Sequence, residues 1–336
     1  MKILLTGGCG FIGSNFIRFI LNKYPSAIIT NLDLLTYAGN LANLEGIHKD
    51  KRYKFVRGDI RDGKLVNRLM GKYPDVVINF AAESHVDRSL YKPAEFLSTN
   101  VIGAQTMLES ARQHNIKRFI QISTDEVYGS LKPKEPAFRE DYPLEASSPY
   151  SASKAAADLL VKSYEKTFGY KAIITRSSNN YGPYQFPEKL IPLFITNALT
   201  DKPVPLYGDG LNVRDWLYVE DNCRAIATIM LKGKSGEIYN IGGNCERTNI
   251  YITKTIFEIL NQPLSMIKYV QDRPGHDRRY ALNTSKIKRQ LDWQPKYMFE
   301  DGIKKTISWY LKNQEWWRQI KTGEYLKFYQ KHYQRA

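Results

Sequence analysis

Residues 2–13 read Lys2-Ile3-Leu4-Leu5-Thr6-Gly7-Gly8-Cys9-Gly10-Phe11-Ile12-Gly13, and this stretch decides the fold. A short apolar run with strand character passes directly into a glycine-rich loop, which opens a helix. Glycines here permit a tight turn, close approach of the backbone to a pyrophosphate, and tight packing of helix on strand. The helix N-terminus adds free N–H groups and a partial positive charge. About 20 residues further on, Asp33 ends the second strand, where an acid binds the ribose hydroxyls of a dinucleotide. That carboxylate would repel a 2′-phosphate, so NAD is favoured over NADP. Gly7, Gly10, Phe11, Ile12, Gly13 and Asp33 are therefore candidate NAD contacts. Asp59 and Ile60, after the third strand, are candidates for the adenine edge, although Gly58-Asp59 also suits a plain turn.

Outward from this stretch, short β-rich runs alternate with helical patterns. Residues 2–6, 28–32, 53–57, 75–80, 118–123 and 171–176 read as strands, mostly in continuous apolar runs that suit a parallel sheet covered on both faces. Amphipathic segments lie between them, clearest at 93–114 and 151–169. Such repetition implies right-handed crossovers and a doubly wound, Rossmann-like α/β sheet. After residue 177 Pro and Gly become dense and the alternation is lost. The expected organisation is an NAD-binding domain at 1–176 and a smaller α/β substrate-binding lobe at 177–336. Segments near 210–245 return to the first domain, since 215–219 and 237–241 again read as strands. The aromatic residues from Trp309 onward suit a docked helix covering the lobe.

Composition narrows the function classes. The chain has 336 residues, 43% hydrophobic, with no run near the roughly 20 apolar residues of a membrane helix. Three scattered cysteines suit neither a disulfide framework nor a zinc site, so no metal is expected and a reducing, cytoplasmic location is. The net charge of +15 is dispersed and no nucleic-acid motif accompanies it. It reads as solvated surface with some attraction for phosphorylated ligands, not as a nucleic-acid or membrane surface.

Two further stretches carry chemistry. Ile122-Ser123-Thr124-Asp125-Glu126-Val127-Tyr128-Gly129 sets a hydroxyl and two adjacent carboxyls just beyond a buried-looking strand, facing the ligand crevice of an open sheet. Tyr150-Ser151-Ala152-Ser153-Lys154 stacks a phenol and an ammonium on one helix face. A phenol with a pKa near 10 is a poor base at neutral pH, and a nearby lysine together with a positive nicotinamide would stabilise the phenolate. Side by side, the two acids tend to have pKa values pushed apart, leaving one protonated and one ionised.

With Thr6–Ser14, Ala81-Ala82-Glu83-Ser84-His85-Val86-Asp87-Arg88-Ser89, Thr124-Asp125-Glu126 and Tyr150-x-x-x-Lys154 on the page, the chain resembles the extended short-chain dehydrogenases/reductases. Asp272-Arg273-Pro274-Gly275-His276 narrows the resemblance to the nucleotide-sugar 4,6-dehydratases. The resemblance implies that Tyr150, with Lys154 and Thr124, oxidises C4 of a nucleoside-diphosphate hexose (dTDP-glucose favoured) against NAD. Glu126 would then remove the C5 proton and Asp125 would protonate the departing C6 hydroxyl. It further implies substrate contacts at Ser84, Thr124, Asn179, Lys189, Leu190, Pro205, Tyr207, Arg214, Asn249, Arg273 and His276. Cofactor-side contacts are implied at Ala81, Thr99 and Asn180, besides Tyr150 and Lys154. A homodimer pairing helices 93–114 and 151–169 is implied as well. Three rivals share part of this pattern. A nucleotide-sugar 4-epimerase or a UDP-glucuronate decarboxylase shares the Tyr–Lys step, but the Asp125–Glu126 pair favours dehydration. A non-catalytic NAD-binding scaffold would typically have lost part of the catalytic set.

Overall fold

The computed structural model describes residues 1–333. Its strands are β1 (Lys2–Thr6), β2 (Ile28–Asp33), β3 (Tyr53–Arg57), β4 (Val76–Asn79), β5 (Phe119–Thr124) and β6 (Ile173–Ser177). After them come β7 (Asn179–Tyr181), β8 (Val204–Tyr207), β9 (Val213–Tyr218), β10 (Ile238–Ile241), β11 (Glu246–Thr248) and β12 (Ile267–Val270). The main sheet has seven strands in the order β10-β6-β5-β4-β1-β2-β3, every pair parallel. All residues of β4, β5 and β6 are buried, which is why these runs are apolar without alternation. One face is covered by helices Phe11–Lys23 and Val219–Lys232 around Phe16, Ile20, Ile226 and Met230. The other is covered by Gly63–Met70 and Ala104–Gln113 around Val66, Met70, Met107 and Leu108. This is a Rossmann-like, doubly wound α/β fold. Strand order reverses between β1 and β4, and a crevice opens there at the carboxyl ends of the strands.

Three local differences from the sequence expectation bear on the site. β10 joins the main sheet beside β6, but β9 does not: it pairs with β7 and β11 in a separate three-stranded sheet. β7 follows β6 after a single residue, so β9, by pairing with it, is held at the carboxyl end of the main sheet. The helical pattern over 93–114 is interrupted by a π-helical turn at Ser98–Gly103. Within that turn the Asn100 side chain bonds both the N–H and the C=O of Glu83, and also reaches Ser153 Oγ. The wide turn thus spends a buried amide on stitching the loop after β4 to the helix bearing Tyr150. Finally, Thr124 is the last residue of β5 and not part of the following loop.

The remaining chain builds a second core around Ile191, Phe194, Trp216, Ile252 and Phe257, with β8 and β12 as a small parallel sheet. The aromatic end forms two helices, Gln314–Ile320 and Gly323–Tyr333. Trp317 and Tyr325 are buried, and Trp317 Nε1 donates to the Tyr310 carbonyl. Among the described residues no helix is long and apolar enough to cross a membrane, and no cluster of metal-ligating side chains occurs.

Candidate active site

Two cavities meet at the carboxyl edge of the main sheet. The larger, about 300 Å³, is lined by every cofactor-side candidate named from the sequence. Its floor is the glycine loop, which packs closely on neighbouring backbone. Gly7 has φ +69, and a Cβ there would sit 2.7 Å from the Ala81 nitrogen. At Gly13 a Cβ would come within 2.4 Å of the Gly7 carbonyl oxygen. Gly10 caps helix Phe11–Lys23 with no side-chain bond, so the first N–H groups of that helix remain available for an anion. Asp33 Oδ2 accepts from the Cys9 N–H at 2.8 Å and Oδ1 from Leu35 N–H at 2.8 Å. It therefore braces the glycine loop while lining the cavity. Cavity, cradle and acid together fit a dinucleotide such as NAD.

The smaller cavity, about 130 Å³, is walled by Leu190, Pro205, Tyr207, Arg214, Asn249, Arg273 and His276. Ser84, Thr124 and Asp125 lie on the cofactor side, whereas Glu126, Asn179 and Lys189 line both cavities. Several buried polar atoms here have no partner within the protein: Asp125 Oδ2, Asn179 Oδ1, Asn249 Oδ1 and Arg273 Nε among them. Buried polar groups are normally paired. These four belong to residues that line the two cavities, where a polar ligand could complete the bonding.

The catalytic candidates converge because β5 and helix Pro149–Phe168 deliver them to the same point. The helix is started by a capping box, in which Ser148 Oγ accepts from Ser151 N–H and Ser151 Oγ from Ser148 N–H. That start places Tyr150 in the first turn, buried and edge-on to Phe96 at 6.3 Å. Lys154 Nζ donates to the Ile122 carbonyl at 2.6 Å, and burial pushes the ammonium down to about 8. Burial, then the Glu126 carboxylate, pushes the Tyr150 phenol up, while a hydrogen bond from Thr124 works the other way. In the protein alone the phenol is thus held in its protonated form. Burial and the neighbouring Glu126 raise Asp125 well above the carboxylate range. Burial raises Glu126 too, but Arg273, Lys189 and Arg214 pull it back. The environments of the two acids differ in the way that separates an acid from a base.

Other residues in or behind this wall escaped sequence reasoning. Asp87 lines the smaller cavity and bonds Arg273. Arg88 forks onto Glu188 and lies between the rings of Tyr37 and Phe328. Tyr280 packs under Arg214, whose Nη atoms are taken by the Val213 and Asp277 carbonyls. Asp87 and Arg88 stand inside the quoted 81–89 motif, so a signal was present. Their partners lie 100 and more residues away, and nothing in the sequence pairs them. Burial pushes His85 and His276 each down to about 4, which leaves both neutral at pH 7.

Comparison with known proteins agrees with this geometry. Residues 4–306 match the family model described as GDP-mannose 4,6 dehydratase. The chain is 49% identical to the dTDP-glucose 4,6-dehydratase of Escherichia coli, over 97% of this chain and 98% of that one. Among solved structures, the dTDP-glucose 4,6-dehydratase of Bacillus anthracis in complex with NAD shares 50% identity and a TM-score of 0.89, covering 95% of this chain and 99% of that one. The Streptomyces venezuelae enzyme with NAD and dTDP bound shares 48% identity and a TM-score of 0.92, covering 95% and 100%. The UDP-glucose 4-epimerase of Thermotoga maritima is more distant at 30% identity, with a TM-score of 0.86 over 94% of this chain and 100% of that one. The chain belongs to the GDP-mannose 4,6-dehydratase family and groups within it with the dTDP-glucose 4,6-dehydratases.

Proposed function

We propose that this protein is an NAD-dependent hydro-lyase that converts dTDP-glucose to dTDP-4-keto-6-deoxyglucose. The observation that carries the reading is Glu126 lining both cavities, beside a strongly raised Asp125 and on the Tyr150 side of the crevice. Tyr150 takes the proton of the sugar 4-hydroxyl, with Thr124 holding the phenolic oxygen. Lys154 supports the charge from the next turn of the helix. The chemistry NAD supplies when bound is reversible hydride transfer, which oxidises C4 and later reduces C6. The 4-ketone acidifies the C5 hydrogen, and Glu126, kept available by three nearby cations, removes it. Asp125, its carboxyl pushed up by burial and by Glu126, gives its proton to the C6 hydroxyl, and water leaves. Glu126 returns a proton to C5. Acid and base must each lie within hydrogen-bond reach of their protons, a condition adjacent residues flanking one C–C bond can meet.

A 4-epimerase needs no acid–base pair at C5 and C6, so the Asp125–Glu126 environment favours dehydration. Product mass tests the reaction: loss of one water supports it, and an unchanged mass overturns it. Asp125→Asn with Glu126→Gln is expected to retain C4 oxidation while losing dehydration. Assay of dTDP-, UDP-, CDP- and GDP-glucose side by side tests the nucleotide, with dTDP-glucose expected to be preferred.

A cytoplasmic homodimer belongs to the same reading. Leu97, Ile102, Leu159 and Phe168 are exposed apolar side chains on the segments Pro93–Leu97, Ser98–Gly103 and Pro149–Phe168, which supports pairing of these helices with their copies. The three cysteines are free thiols, as suits a reducing compartment. Sedimentation at working concentration is expected to give a dimer, and a monomer there removes the pairing.

A further inference from the structure

Asp87 has no role in the chemistry above, yet its carboxylate is buried in the wall of the substrate cavity, 4% exposed. It is not idle. Oδ1 accepts from Arg273 Nη1 at 2.9 Å, and Oδ2 accepts from the Tyr207 hydroxyl at 3.1 Å. His332 Nε2 stands 3.4 Å from Oδ2 and also bonds the Tyr207 oxygen. Three segments far apart in sequence, at positions 207, 273 and 332, are thereby tied to one side chain.

The edge of Arg273 that is used matters. A guanidinium offers two forks, one of them formed by Nε with the Nη on its own side. Asp87 occupies Nη1, at the other end of the group. Nε is left buried with no partner within the protein. Arginine forks of this kind bind phosphate oxygens in pairs. A carboxylate gripping Nη1 restrains the rotation of a guanidinium that lines the cavity.

We propose that Asp87 is a positioning residue for the nucleoside-diphosphate sugar: it holds Arg273 and Tyr207 so that the free guanidinium edge meets the diphosphate. The proposal rests on the reading of Arg273 and Tyr207 as substrate contacts. A carboxylate that merely lined the wall would repel a diphosphate, and its removal would tighten binding. A carboxylate that orients the clamp does the opposite.

The test uses the holoenzyme with dTDP-glucose, and calorimetry with dTDP, for Asp87→Ala, Asp87→Asn, Arg273→Ala and the Asp87→Ala/Arg273→Ala double variant. Asp87→Ala is expected to raise KM and the dTDP Kd by about tenfold or more, as loss of a hydrogen bond to a charged group does. kcat changes less and NAD content does not change. Asp87→Asn, which keeps an acceptor for Arg273, falls in between and stands in for the alanine variant if that one does not fold. The double variant is expected to lose less dTDP affinity than the two single losses combined, because Asp87 acts chiefly through Arg273. Additive losses, or tighter dTDP binding in Asp87→Asn, overturn the proposal while leaving Arg273 as a contact. An Arg273→Ala variant with unchanged dTDP affinity overturns the contact reading itself, and the proposal with it.

Discussion

The two cavities of this molecule are built differently. The cofactor cavity is shaped mainly by backbone: glycines at 7, 10 and 13, a free helix N-terminus, and an Asp33 whose bonds run to main-chain N–H groups. The substrate cavity is shaped by side chains from distant segments, held by ion pairs such as Arg273–Asp87 and Arg88–Glu188. A backbone site tolerates almost no added volume, because backbone atoms cannot rotate out of the way. A side-chain site depends instead on charge and orientation.

This contrast sets the order of expected effects. Tyr150→Phe, in the wall of the larger cavity, is expected to lower turnover by roughly 10²–10⁴-fold, as loss of a general base does, with NAD content preserved. The absence of hydride transfer to the cofactor, followed by absorbance, checks it. Gly13→Val probes the backbone-built side. Its Cβ would lie 2.4 Å from the Gly7 oxygen and 2.8 Å from the Gly8 Cα, so the loop must shift. A cost of about 1–3 kcal/mol is expected for such overpacking. Purified protein should lack NAD, and full retention of NAD would break the contrast.

Lys154→Met separates function from stability. Burial lowers the folded-state value of Lys154 from 10.5 to about 8, so the folded state binds fewer protons than the unfolded one between those values. The penalty for keeping the ammonium buried is therefore full below about pH 8 and is relieved as pH rises toward 10.5. The methionine variant is expected to be inactive yet more stable at pH 7, by up to about 3 kcal/mol. The gain shrinks as denaturation is repeated at rising pH. Asn249→Ala probes the side-chain-built side: its buried Oδ1 has no protein partner, so its loss harms ligand binding more than folding. KM is expected to rise about tenfold with an unchanged or slightly higher Tm. A large fall in Tm would instead make Asn249 a structural residue. The smallest effect belongs to Arg139→Gln, at an ion pair with Asp141 whose side chains are 62% and 68% exposed. No measurable change in stability or in the affinity for either ligand is expected.

The same contrast explains what was legible beforehand. The glycine loop, Asp33 and the Tyr150–Lys154 pair are local patterns, separated by spacings that a strand–loop–helix unit or one helical turn dictates. Continuous apolar runs announced a sheet covered on both faces, and β1 through β6 fall within two residues of the expected strands. The destination of β9 was not legible, because a short apolar run of this kind suits any parallel or antiparallel neighbour. The π-turn at Ser98–Gly103 was hidden because a helical period barely registers one wide turn. Its purpose appears only when Asn100 is seen bridging Glu83 and Ser153.

By itself, then, the sequence determined a dinucleotide-binding α/β chain carrying an acid pair after a strand and a phenol–ammonium pair on a helix. Such features are encoded by residue type at short spacing, where chain geometry leaves little freedom. Tertiary structure alone decided which carboxylate is driven toward the protonated state, since that follows from burial and from Arg214, Arg273 and Lys189 arriving from elsewhere. It also decided that Asp87 meets Arg273 across 186 residues, a contact created by the docking of one core on the other.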